Sequence, residues 1–127
     1  MNPLNHASLE ASKRLADAGI VLMTESAWCR QDYHGHIFYH LYYKTLLREG
    51  EECIPAPSMA EVWRELPQAI KAPGGLAFLK VGKQHSDLDG CDYLVAEYSN
   101  QPASSFVRNS NPTDALIDLL IWLKGEA

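Results

Sequence analysis

The run His34-Gly35-His36-Ile37-Phe38-Tyr39-His40 places three imidazoles within seven residues, and imidazole is a ligand for transition metals. On a strand, residues of equal parity share a face, so His34, His36 and His40 would lie together with Phe38 and Tyr42. From His36 to His40 is about 13 Å of strand, too far for both rings to reach one ion without a bend. His34 and His36 are closer, but further ligands would have to come from Asp32 or Cys29. The plainer reading is polar and aromatic side chains on the open face of a sheet. A metal or small-ligand site, or an enzyme built on His36 and His40 with Tyr42 or Asp32, stands as the alternative.

Asp87, Asp89 and Asp92 surround Gly90, and clustered carboxylates suit calcium. The spacing is not that of a twelve-residue calcium loop, and a tight turn uses Asp and Gly for backbone reasons alone. Cys91 stands beside these carboxylates, which raise a thiol's pKa and dull it as a nucleophile. No serine lies in a G-x-S-x-G elbow, and there is no glycine-rich phosphate loop. Neither a catalytic set, a cofactor nor a metal centre is expected.

The aromatic density is the more informative feature. Trp28, Tyr33, Phe38, Tyr39, Tyr42 and Tyr43 fall on what read as neighbouring strands. A tyrosine-rich sheet face turned away from the helices is a reasonable binding surface. The expected binding residues are Trp28, Tyr33, His36, Phe38, His40 and Tyr42.

The elements that position these residues are marked by their ends. A helix is expected from about Asn5 to Ala18, closed by Gly19. Ile20 to Trp28 reads as a strand, Gln31 to Gly35 as a hairpin loop, and His36 to Leu47 as the returning strand. After a charged turn at Arg48–Glu52, Ser58 and Glu61 form the S-x-x-E capping box of a second helix. Its apolar stripe is Met59, Val62, Trp63, Leu66 and Ile70, with Pro67 expected to kink or tighten it near Trp63. Leu76–Gly82 and Asp92–Tyr98 form a second strand pair around the Asp89-Gly90 turn signal, and Ser99–Ser110 reads as a mobile loop. Asn111-Pro112-Thr113-Asp114 opens a last helix that is apolar on more than one side. Ile117, Ile121 and Trp122 lie off its core stripe and are the expected self-association surface.

Composition sets the class. One domain, residues 1–127, is the expectation for 127 residues, with 46% apolar and 21% charged side chains close to ordinary globular usage. The formal charge of −5, with 11 basic residues scattered singly, makes nucleic acid an unlikely partner and suits a protein with a basic surface. Three widely spaced cysteines, Cys29, Cys53 and Cys91, suggest neither a disulfide framework nor a zinc site. With no signal peptide and no membrane-spanning stretch, a cytoplasmic protein with reduced thiols is expected.

Pro55-Ala56-Pro57-Ser58 runs into Glu61-Val62-Trp63-Arg64-Glu65-Leu66-Pro67. Much later come Asn111-Pro112-Thr113-Asp114-Ala115-Leu116 and Leu120-Ile121-Trp122-Leu123-Lys124. With an opening helix that ends in Ala18-Gly19-Ile20-Val21, this pattern resembles small uncharacterised proteins of bacteriophages and prophages. The resemblance covers most of the chain in short pieces, and its motifs are caps and core stripes. It implies a phage or mobile-element setting and a shared fold, and it carries over no functional residue. The expected fold is α+β in the order α-β-β-α-β-β-α, with an antiparallel sheet of about four strands and three helices mainly on one face. The expected function is a non-catalytic accessory protein of a bacterial or phage-infected cell that binds a protein partner and forms a homo-oligomer, a homodimer being the simplest. A purely structural domain is the further alternative.

Overall fold

The computed structural model describes residues 5–43, 52–72, 75–99 and 106–126. The first helix, α1 (Leu9–Asp17), starts where a serine can cap it: Ser8 Oγ accepts the Ala11 N–H at 3.1 Å. Asn5–Ala7, expected to open this helix, lie outside it. The Ala7 N–H donates to the Pro57 carbonyl at 2.9 Å and His6 bridges to Ser58, so this stretch runs beside the start of the second helix.

Ile20–Met23 was expected to open a strand but has no ladder partner among the described residues. It threads the core one residue at a time: Leu22 and Thr24 are buried while Val21 and Met23 are 89% and 95% exposed. Pairing begins only with β1 (Ser26–Tyr33), which turns through His34-Gly35 into β2 (His36–Tyr43). The expected continuation of that strand, Lys44–Leu47, lies outside the described residues, as does the charged turn as far as Glu51. A short β3 (Cys53–Pro55) pairs with the other edge of β1, giving a three-stranded antiparallel sheet in the order β2-β1-β3.

The capping box forms at the start of α2 (Met59–Glu65). Ser58 Oγ accepts the Glu61 N–H at 3.2 Å, and Glu61 Oε1 accepts the Ser58 N–H at 2.8 Å. The second oxygen of Glu61, Oε2, accepts the Glu25 N–H at 3.1 Å, so one buried carboxylate caps the helix and holds the approach to β1. Pro67 ends this helix rather than kinking it. Leu66, the residue before the proline, is extended (φ −91°, ψ 112°), the conformation a following proline enforces. Ile70, expected on the helix stripe, therefore lies in the strand β4 (Ala69–Ala72).

β4 pairs with β5 (Gly75–His85), β5 with β6 (Asp92–Tyr98), and β6 with β7 (Val107–Asn109), all antiparallel. The second hairpin thus has its own four-stranded sheet, β4-β5-β6-β7, instead of sharing one with the first. β7 falls where a mobile loop was expected; Asn100–Ser105 of that stretch lie outside the described residues. Among the described residues there are three helices and two antiparallel sheets, and the chain is α+β.

The last helix, α3 (Pro112–Glu126), is capped by Asn111, whose Oδ1 accepts the Thr113 and Asp114 N–H groups at 2.9 and 3.3 Å. Its apolar surface is wrapped by its own chain: α1, α2, β6 and β7 all touch it. Ile117, expected to meet a second copy, is fully buried in the core. Ile121 and Trp122 pack against the same core, and the Trp122 ring stacks on Tyr98 at 6.2 Å. Of the three residues expected to self-associate, Ile117 is therefore out of reach of a second copy, while Ile121 and Trp122 keep part of their surface exposed.

The thiols also differ from expectation. Cys29 and Cys53 sit opposite each other in the β1–β3 ladder, 4.2 Å apart at Cα, and are joined as a disulfide. The Arg30 N–H donates to the Glu52 carbonyl and the Ala56 N–H to the Ser26 carbonyl, which makes Cys29/Cys53 a pair between ladder hydrogen bonds. Such pairs bring Cα atoms closest. Cys91 remains free and exposed.

Candidate functional site

The β1–β2 hairpin owes its register to a two-residue turn. His34 and Gly35 have φ of 50° and 83°, the positive values a type I′ turn requires at both central positions. Asp32 Oδ1 accepts the Gly35 N–H at 3.0 Å. His34 is thereby taken out of strand parity, so it does not join His36 and His40 on one face as expected.

The remaining register sorts the side chains. Tyr33 lies opposite His36, Gln31 opposite Phe38, Cys29 opposite His40 and Ala27 opposite Tyr42. Directly opposed residues share a face. Tyr33, His36, Phe38, His40 and Tyr42 therefore form one strip, with the Cys29–Cys53 bond on the same face beside His40. The His36 and Phe38 rings stand 5.9 Å apart, and those of His40 and Tyr42 4.7 Å apart. Toward the turn the strip is open: Tyr33 is 68% and Phe38 40% exposed.

Trp28, expected in this group, belongs to the opposite face, where it is paired with Leu41. Its indole N–H donates to the Ala7 carbonyl at 2.9 Å, which ties the hairpin to the segment before α1. Tyr39 shares that face and receives the Lys13 ammonium over its ring at 5.2 Å. Ile37, also on that side, is half exposed, so the end of the hairpin stands clear of the body on both faces.

The strip presents aromatic ring faces and two imidazoles. Among the described residues no group of three or more His, Cys, Asp or Glu side chains is placed to hold a metal ion. His36 and His40 share a face but stand four residues apart on an extended strand. The alternative of a site built on these two histidines has no third ligand among the described residues.

The three aspartates at the β5–β6 turn are engaged locally. Asp92 Oδ1 meets His85 Nδ1 at 2.8 Å, and this bond holds the Asp92 carboxyl below the usual carboxylate range. Tyr93 donates its hydroxyl to Asp89, lowering the Asp89 pKa and raising that of Tyr93. Asp89 Oδ1 also accepts the Cys91 N–H at 2.9 Å, and the Arg108 guanidinium lies 3.8 Å over the Tyr93 ring. These contacts close a turn, as Gly90 (φ 70°) does, and leave Asp87 pointing outward beside His85 at 3.8 Å. An apolar groove lies elsewhere, along α2 between Met59, Ala60, Trp63 and Arg64, with Asn5 and Ser58 at its rim, and no titratable pair converges among these residues.

Sequence reasoning missed the disulfide, whose partners are 24 positions apart and are matched only by strand register. It also grouped Trp28 with residues that the register puts on the other face. Counting parity back from the turn would have shown this had the turn been read as His34-Gly35 alone. A scan against protein-family models gives no match, and searches of curated proteins and of solved structures give none either. No helix among the described residues is long and apolar enough to cross a membrane.

Proposed function

We propose that the chain is a non-catalytic accessory protein of a phage or prophage that binds a protein partner through the open face of its first hairpin and self-associates through a sheet. The observation that carries the first part is the strip itself: Tyr33, His36, Phe38, His40 and Tyr42 on one face, with Tyr33 and Phe38 open to solvent. Rigid aromatic side chains on a strand contribute contact area at little entropic cost and are the usual anchors of protein interfaces. The formal charge of −5 favours a partner with a basic surface. Self-association falls to a sheet because α3 is wrapped by its own chain. The cytoplasmic setting, expected from the lack of a signal peptide and of a membrane-spanning stretch, remains part of this reading; the reduced thiols expected with it do not, since Cys29 and Cys53 are joined.

The test is capture of a host or phage protein from infected cells by the tagged chain, compared with a Tyr33→Ala, Phe38→Ala double variant. A partner retained by the native chain and lost from a variant with unchanged circular dichroism supports the reading. Equal capture by both, or none by either, removes it.

A further inference from the structure

We infer that two copies of this chain join edge to edge through β2, antiparallel, to make one continuous six-stranded sheet in the order β3-β1-β2-β2-β1-β3. This deepens the self-association part of the reading above and does not depend on the partner-binding part.

The argument starts from the sheet edges. Among the described residues the two sheets have four edge strands: β2, β3, β4 and β7. Proteins blunt edges with short strands, prolines and charges, because a row of free N–H and C=O groups invites another strand. Three of these edges are blunted. β3 has three residues and contains Pro55, β4 has four and contains Lys71, and β7 has three and contains Arg108. β2 has eight residues, His-Ile-Phe-Tyr-His-Leu-Tyr-Tyr, with no proline and no Asp, Glu, Lys or Arg.

The hydrogen-bond parity shows which groups are free. Arg30 and Ser26 bond to the β3 side, so the even positions of β1 face β3 and the odd ones face β2. The two-residue turn makes Tyr33/His36 a hydrogen-bonded pair, which agrees. Across the ladder, the odd positions of β1 are met by His36, Phe38, His40 and Tyr42. Ile37, Tyr39, Leu41 and Tyr43 therefore aim their N–H and C=O groups outward.

A second copy fits this edge better than a foreign strand does. The molecule carries −5, so two copies repel in general, and this charge-free strand is where they can meet without opposing like charges. A two-fold axis satisfies both edges at once. Antiparallel pairing must set outward-facing residues against outward-facing residues. The register that uses all four pairs Ile37 with Tyr43 and Tyr39 with Leu41 of the other copy. It also places His40 on the axis, opposite its own copy, and Phe38 opposite Tyr42. The strip described above then runs unbroken across both copies.

The mass in solution and three variants test this. The native chain should be a dimer by light scattering, with the Ile37, Tyr39, Leu41 and Tyr43 amides slow to exchange in the dimer and fast on dilution. Tyr39→Pro removes an N–H that the hairpin itself does not use, so it should give a folded monomer that still captures any partner of the strip. His40→Lys and His40→Glu should each weaken the dimer about fivefold by setting like charges opposite each other. An equimolar mixture of the two should restore it, because opposite charges then meet on the axis. A native monomer at all soluble concentrations overturns the inference. So does a dimer with fast-exchanging odd amides, or a mixture no tighter than either variant alone. A monomer whose β2 edge takes up an extended peptide of another protein also overturns it, while leaving the partner-binding reading intact.

Discussion

The Ser8 backbone N–H donates to Asp114 Oδ1 at 2.8 Å, joining the cap of α1 to the first turn of α3 across 106 positions of sequence. The Asp114 carboxylate is nearly buried, and it serves two helix starts: a donor at α1 and the positive end of the α3 dipole. Asp114→Ala leaves the Ser8 donor unpaired and should cost about 2 kcal/mol in a urea titration, with Asp114→Asn costing about half of that. Unfolding midpoints that coincide with the native one would show that this contact contributes nothing.

The Cys29–Cys53 bond closes a loop with its ends 24 positions apart. Cross-linking a loop of this length restricts the unfolded chain by about 3 kcal/mol in the chain-entropy treatment. Reduction, or a Cys29→Ser, Cys53→Ser double variant, should lower the denaturant midpoint accordingly. The free thiol count should be one in the native state, from Cys91, and three after reduction. A count of three before reduction rules the bond out.

Tyr98 is buried, and its hydroxyl donates to the Pro67 carbonyl at 2.7 Å. Burial pushes its pKa up to about 12 from 10.0. A group raised in this way contributes stability that is whole below the unfolded value and lost as pH climbs through the folded one. Stability should therefore fall by roughly 2–3 kcal/mol between pH 10 and pH 12 from this residue alone. Tyr98→Phe should cost about 1 kcal/mol at neutral pH and remove that alkaline slope. The check is denaturant unfolding at several pH values, and an unchanged slope in the variant would count against the assignment.

His34 occupies a left-handed position where asparagine is preferred beside glycine. His34→Asn should stabilise the hairpin by about 0.5 kcal/mol without altering β1–β2 register. Cross-strand nuclear Overhauser contacts between Tyr33 and His36 report the register, and thermal melting reports the gain. A variant that melts lower contradicts the turn geometry.

The signals legible in the sequence are those that act over a few residues. Ser58 with Glu61, and Asn111 with Pro112, mark helix starts, and both stand where they were read. Features decided by partners far along the chain were not legible. Ile20–Met23 has the composition of a strand but pairs with no described neighbour, and β3, β4 and β7 are too short to show a period. Ile117 looks surplus on its own helix because the elements that cover it lie elsewhere in the sequence. The site was half visible. The parity of His36, Phe38, His40 and Tyr42 survives because they lie on one strand, while Trp28 was misplaced because its face depends on where the turn falls.

The tie between α1 and α3 has a bearing on how the protein is made. Besides the Ser8–Asp114 bond, Arg14 forms a forked ion pair with Asp118, 104 positions away, at 3.2 and 2.8 Å. A ribosome that adds about 5–20 residues per second spends several seconds between these partners. Until α3 leaves the exit tunnel, α1 can lean on β3 but lacks the partners of its Ser8 amide and its Arg14 guanidinium. The α3 helix, made well after α1, supplies the acids on which α1 closes.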